Sequence, residues 1–117
     1  MKRVVATLAH RIPERPPLQL VEGEAVRVGE RNTEWLAFVF VTTTHGEGWV
    51  PARYVSQTDG RLATMLRGYD TTELSTEPGE MLDVVEEDLE SGWLWCRSQT
   101  RREGWVPVTS CIRTGDG

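Results

Sequence analysis

The chain has 117 residues, 13 Lys/Arg against 18 Asp/Glu, and a formal net charge of −5. That length allows one ordinary domain or two very small ones, and the acidic balance argues against a nucleic-acid partner, since phosphate neutralisation supplies most of such affinity. No apolar run approaches the ~20 residues of a membrane span, and the basic start Met1-Lys2-Arg3 leads into too few apolar residues for a signal-peptide core, so a cytoplasmic protein is expected.

In chain order, Val4-Val5-Ala6-Thr7-Leu8 reads as a first strand, and Arg11-Ile12-Pro13-Glu14-Arg15-Pro16-Pro17-Leu18 as a long loop stiffened by its prolines. After the turn Glu22-Gly23, Ala25-Val26-Arg27-Val28 alternates apolar and charged residues, the pattern of a half-buried strand. Phe38-Val39-Phe40-Val41-Thr42 is β-branched and aromatic, and Gly46-Glu47-Gly48 turns the chain into Trp49-Val50-Pro51. The same series then repeats. Ala6-Thr7-Leu8 is echoed by Ala63-Thr64-Met65, Gly23-Glu24 by Gly79-Glu80, Trp35-Leu36 by Trp93-Leu94, and Gly48-Trp49-Val50-Pro51 by Gly104-Trp105-Val106-Pro107. Matches in one order at a near-constant offset signify a duplication. No stretch keeps a helical period.

Each repeat predicts a small all-β barrel, because strands this short must close to hide their edges. The joint at Ser56-Gln57-Thr58-Asp59-Gly60 gives domains at 1–57 and 60–117. A unit of that size buries only about 60% of its unfolded surface, so two barrels packed against each other are expected.

With the repeat in hand, the residues resemble the SH3 family. Leu18-Gln19-Leu20-Val21-Glu22-Gly23-Glu24 and Leu74-Ser75-Thr76-Glu77-Pro78-Gly79-Glu80 are similar to its diverging turn, Trp35 and Trp93 fall at its first groove Trp, and Pro51 and Tyr54 at its closing Pro and Tyr. The resemblance implies two tandem SH3-like five-stranded barrels and a non-enzymatic adaptor or scaffold module. Its ligand would be an extended peptide of a partner protein, docked between aromatic side chains with a basic residue against acidic loops. The peptide-binding residues it implies are Trp35, Pro51, Tyr54, Glu73, Glu86, Glu87, Trp93, Trp105 and Pro107. The departures matter: the opening tyrosines are replaced by Leu8 and His10 in repeat 1 and by Met65 and Arg67 in repeat 2, and the closing Tyr of repeat 2 is Ser110. Tyr69 is a nearby substitute in repeat 2.

Charge separates the repeats. Residues 1–58 hold seven Lys/Arg and six Asp/Glu, a net of +1; residues 59–117 hold six and twelve, a net of −6. Glu86, Glu87, Asp88 and Glu90 are expected to fill the n-Src loop beside Trp93, which suits a basic, proline-containing partner through electrostatic steering. Pro13-x-x-Pro16, flanked by arginines, could itself dock on that acidic groove, in the same chain or in a neighbouring copy. The alternative function is an assembly unit whose groove aromatics are buried between barrels or subunits.

Other chemistries find little footing. His10 and His45 show no carboxylate or Cys at a metal-ligand spacing, and no nucleophile elbow or phosphate loop is present, so no catalytic residue, metal or cofactor is expected. Cys96 and Cys111 lack a Cys-x-x-Cys spacing and read as small buried thiols of a reducing compartment, with a disulfide between them left open.

Overall fold

The computed structural model describes residues 2–12, 16–31, 37–56 and 60–113, with the side chains of 30 and 31 left aside. The expectations that fall on Trp35, on Pro13 to Arg15 and on the 57–59 joint lie outside the described residues. The fold is all-β. Its strands are β1 (Lys2–Ala6), β2 (Gln19–Leu20), β3 (Ala25–Arg31), β4 (Phe38–Thr43), β5 (Gly46–Pro51), β6 (Leu62–Thr64), β7 (Tyr69–Asp70), β8 (Met81–Asp88), β9 (Trp93–Arg97), β10 (Glu103–Pro107) and β11 (Cys111–Arg113). Two 3-10 turns follow the paired Pro residues, at Ala52–Tyr54 and Val108–Ser110. No helix among the described residues is long and apolar enough to cross a membrane.

The chain divides into two compact units, and they are not the sequential halves 1–57 and 60–117 that the repeat spacing suggests. Unit 1 is Met1–Glu14 with Thr72–Gly117, and unit 2 is Arg15–Thr71. The reason lies in backbone pairing. β1 runs antiparallel to β8 (Val4 opposite Leu82) and to β11 (Ala6 opposite Cys111). β6 meanwhile pairs with β3, Val26 opposite Ala63, and Met65 bridges Val55. The opening strand of each repeat therefore completes the sheet of the other. Main-chain ladders do not read side chains, and the two strands present nearly the same inward pattern: Val4 and Ala6 are buried in one, Ala63 and Met65 in the other. Either can fill the other's place.

Within unit 1 the sheet order is β10-β9-β8-β1-β11, and in unit 2 it is β5-β4-β3-β6 beside the β2–β7 pair. Among the described residues the ladder of unit 1 ends at β10 and β11, and the outer side of β10 is met by an isolated parallel bridge between Glu73 and Trp105. β8 carries a register shift between Val84 and Glu86, and β3 one between Val28 and Arg31. Such bulges bend a strand, so that one end of β8 serves β1 and the other serves β9. Each unit has its own core. Val4, Ala6, Leu74, Leu82, Val84, Leu94, Cys96 and Val106 fill unit 1; Leu18, Leu20, Val26, Val39, Val41, Val50, Val55, Ala63 and Met65 fill unit 2.

Gly104 sits where two backbones come closest. A Cβ there would lie 2.7 Å from the Leu74 amide nitrogen and 2.8 Å from the Glu73 carbonyl carbon, so backbone itself would have to yield. Gly104→Ala is expected to cost about 1–3 kcal/mol of stability through this overpacking, read by denaturant titration. An unchanged midpoint would contradict the close approach.

Candidate functional site

Three side chains from distant parts of unit 1 meet at one place, and each is fixed by its backbone. His10 exchanges main-chain hydrogen bonds with Thr76, its N–H donating to the Thr76 carbonyl at 3.1 Å and its carbonyl accepting from Thr76 at 3.2 Å. The buried Thr76 hydroxyl also donates to the Leu8 carbonyl at 3.1 Å. Glu73 forms a parallel bridge with Trp105, anchored on either side by Trp105 N–H to Thr72 O at 2.9 Å and Leu74 N–H to Trp105 O at 3.0 Å. Trp93 opens β9, opposite Asp88 on one side and Pro107 on the other.

The result is a histidine laid against a nearly buried indole, with a carboxylate at its outer nitrogen. The His10 ring meets the Trp93 indole edge-on, with centroids 5.6 Å apart and planes at 71°. His10 Nε2 lies 2.8 Å from Glu73 Oε1. Trp93 retains 9% exposure, while Leu8, in the bend between β1 and His10, keeps 56%. Sequence spacing offered neither histidine a carboxylate, but both have one: His45 pairs with Glu24 in unit 2 as His10 does with Glu73. The partners lie 63 and 21 positions away, beyond any local spacing rule.

The acids expected to crowd the n-Src loop are distributed otherwise. Glu86, Glu87 and Asp88 belong to strand β8, and only Glu90 lies in the turn that follows. Glu87 pairs with Lys2 Nζ at 3.0 Å. Asp88 is buried and accepts from the Ser91 amide at 3.3 Å, closing a turn whose Gly92 has φ +84°. Glu86 stands exposed opposite Trp95. Trp105 is buried edge-to-face on Trp95 at 5.2 Å, and Pro107 is buried beside Trp93. Of the expected groove residues in repeat 2, Pro107 lies opposite Trp93 and Glu73 is linked to Trp93 through His10, while Glu87 pairs with Lys2 and the Trp105 ring packs on Trp95. In unit 2, Pro51 is fully buried and Tyr54 half-buried. Tyr69, the substitute expected for repeat 2, instead meets Tyr54 edge-on at 5.7 Å. Among the described residues no three His, Cys, Asp or Glu side chains gather as a metal site.

Two charges are tuned by hydrogen bonds. The Trp95 indole N–H, at 2.8 Å, and then the Arg97 guanidinium hold the Glu103 carboxyl below its ordinary range. His45 and then the Val21 amide do the same for Glu24. Both cysteines are free; burial pushes the Cys96 thiol up to about 12 and raises that of Cys111.

Residues 68–108 match the family model described as SH3 domain, a match that crosses the junction of the two units at Thr71 and Thr72. The chain is similar to SH3 and PX domain-containing protein 2B, 28% identical to the Mus musculus protein over 124 residues and 27% to that of Homo sapiens. Each alignment covers 93% of the chain and 13% of the relative, so the chain spans a small fraction of the relatives' length. A stretch of 40 residues, 34% of the chain, is 48% identical to SH3 and PX domain-containing protein 2A of Mus musculus, covering 3% of that protein. No solved structure matches significantly. The family match and the SH3-containing relatives support a protein-interaction module.

Two predictions follow from this geometry. Because the folded Glu103 carboxyl binds protons less readily than the unfolded one, its contribution is fully present above the ordinary carboxylate range and is lost as pH falls through its lowered value. The stability gap between wild type and Glu103→Gln should therefore hold steady above pH ~5 and shrink below pH ~4; a pH-independent gap would contradict the Trp95 and Arg97 hydrogen bonds. His10→Ala should uncover Trp93, raising the acrylamide quenching of its fluorescence relative to a Trp93→Phe background. Equal quenching would mean that His10 does not cover the indole.

Proposed function

We propose that the chain is a non-catalytic, cytoplasmic protein-interaction module of two SH3-like barrels, and that the Trp93 pocket of unit 1 recognises an extended, basic, proline-containing peptide of a partner. The observation that carries this reading is the juxtaposition of Glu73, His10 and Trp93 from three separate segments. In this reading His10 occupies the ligand's place: an incoming Arg or Lys takes over Glu73, the imidazole swings off the indole, and the peptide backbone crosses the exposed Leu8. Pro107 forms the floor. Exposed ion pairs contribute under about 1 kcal/mol each, so affinity should be micromolar or weaker, about −8 kcal/mol at best. Trp35, Pro51 and Tyr54 contribute a second groove on the other repeat, and Glu86 and Glu90 steer the approach. The two free thiols suit a reducing compartment.

The low exposure of Trp93 and Trp105 favours a second reading, in which these aromatics serve packing alone. One titration separates the two. A short proline-rich peptide bearing arginines at one end should change the tryptophan fluorescence saturably. Glu73→Gln should weaken that binding about tenfold, the loss of one charge-assisted hydrogen bond, and Trp93→Ala should abolish it. A wild-type protein that shows no saturable change leaves packing as the role of the pocket.

A further inference from the structure

β1 and β6 dock in the same register on two strands of the same inward pattern. In unit 1 Val4 lies opposite Leu82 and Arg3 opposite Asp83; in unit 2 Ala63 lies opposite Val26 and Leu62 opposite Arg27. The inward positions do not choose between the two strands, since Val4, Leu82, Ala63 and Val26 are all apolar and buried. The outward positions differ in charge.

In unit 1 one outward rung crosses four strands with alternating sign: Glu103 of β10, Arg97 of β9, Asp83 of β8 and Arg3 of β1. Arg97 Nε donates to Glu103 Oε2 at 3.1 Å, and Arg3 Nε donates to Asp83 Oδ1 at 2.9 Å. The matching rung of unit 2 reads Glu47, Thr42, Arg27 and Leu62. It ends on an apolar side chain, 61% exposed, where β1 carries a guanidinium. Were β1 to lie on β3 in the register that β6 uses, Arg3 would stand opposite Arg27, and Leu62 would take its place beside Asp83. The position one residue earlier is indifferent: Lys2, whose ammonium reaches Glu87 at 3.0 Å, and Arg61 are both cations.

Opposite charges directly across an antiparallel pair stabilise it and like charges destabilise it, and the choice between two partners is the difference between such terms. We infer that the attraction of Arg3 for Asp83, set against its repulsion from Arg27, selects the exchanged pairing of β1 and β6. Arg3 is thereby a positioning residue: it directs β1 to β8, and the continuing chain then brings His10 to Thr76 and its ring to Trp93. The attraction gained and the repulsion avoided together favour the exchanged form about tenfold. This selection operates whether or not the Trp93 site takes a peptide.

The test uses the full chain refolded from denaturant, with the interstrand NMR contacts of Val4 and the ring contact between His10 and Trp93 as readouts. In the wild type Val4 should contact Leu82, and His10 should contact Trp93. Arg3→Asp combined with Leu62→Arg alters two exposed positions and makes the sequential pairing favourable at both rungs. That double variant should move Val4 onto Val26 in the major form and take His10 off Trp93. Arg3→Gln, which removes the charge without reversing it, should populate both arrangements comparably and give two sets of Val4 contacts. An ion pair that served stability alone would lower the unfolding midpoint and leave Val4 on Leu82. Leu82 contacts alone in the folded double variant therefore overturn the inference. Should that variant fail to fold, Arg3→Gln decides, and Leu82 contacts alone in it overturn the inference equally.

Discussion

The organisation of unit 1 depends on one main-chain arrangement: the strand Lys2–Ala6 lies between β8 and β11 and bonds to both. Its continuation is held as firmly, with the Ala6 amide donating to Glu80 O and the Thr7 amide to Ser110 O, each at 2.8 Å. Remove that strand and β8 and β11 each lose a neighbour, Leu82 loses part of its cover, and His10 is no longer delivered to Thr76 and hence to Trp93. The chain's first residues thereby position a side chain over an indole more than eighty residues later in sequence. Hydrophobic burial stabilises the core, but it is the directionality of backbone hydrogen bonds that sets which residues face the pocket.

The two units share a framework and differ in what covers their aromatics. In unit 1 an imidazole bonded to a carboxylate lies against Trp93; in unit 2 two guanidiniums lie near the Tyr54 ring. The substitutions responsible are few. His10 and Arg67 stand at corresponding positions of the two repeats, on strands that have exchanged places. Because of that exchange, the character of each pocket is set partly by a residue encoded in the opposite repeat. Duplication followed by divergence at such positions separates the chemistry of two sites without disturbing the ladders that support them, since the ladders use only backbone atoms.

Much of this was legible in the sequence, and what was not has definite physical causes. The strands at Ala25–Arg31, Phe38–Thr43, Met81–Asp88 and Trp93–Arg97 follow from alternation and β-branched content. The turns at Gly23 and Gly79 have φ of +85° and +90°, as glycine at those positions implies. The exchange of first strands was hidden because Val4-Val5-Ala6 and Leu62-Ala63-Thr64 satisfy the same pattern, and nothing in a periodicity distinguishes one acceptable partner from another. Trp93 could be picked out by its place in the repeat, whereas its lid could not, since His10 and Glu73 become neighbours only through the exchange. The acidic run Glu86-Glu87-Asp88 was visible as composition. Its allocation, one carboxylate to Lys2 and one to the turn at Ser91, required the register of β8.

The division of the chain also orders its biogenesis. Arg15–Thr71 is one continuous segment, so unit 2 has all of its strands once Thr71 has left the ribosome. The preceding arm, although synthesised first, has no sheet to join until β8 and then β11 follow. Its pairings with residues 81–84 and 111–113 are among the most non-local in the chain, and such contacts form late because a large loop must close before they are rewarded. During translation this strand therefore precedes both of its partners in unit 1, while every strand of unit 2 has already been made. That interval is when an alternative partner, whether β3 of the same chain or the β8 of another copy, competes for it.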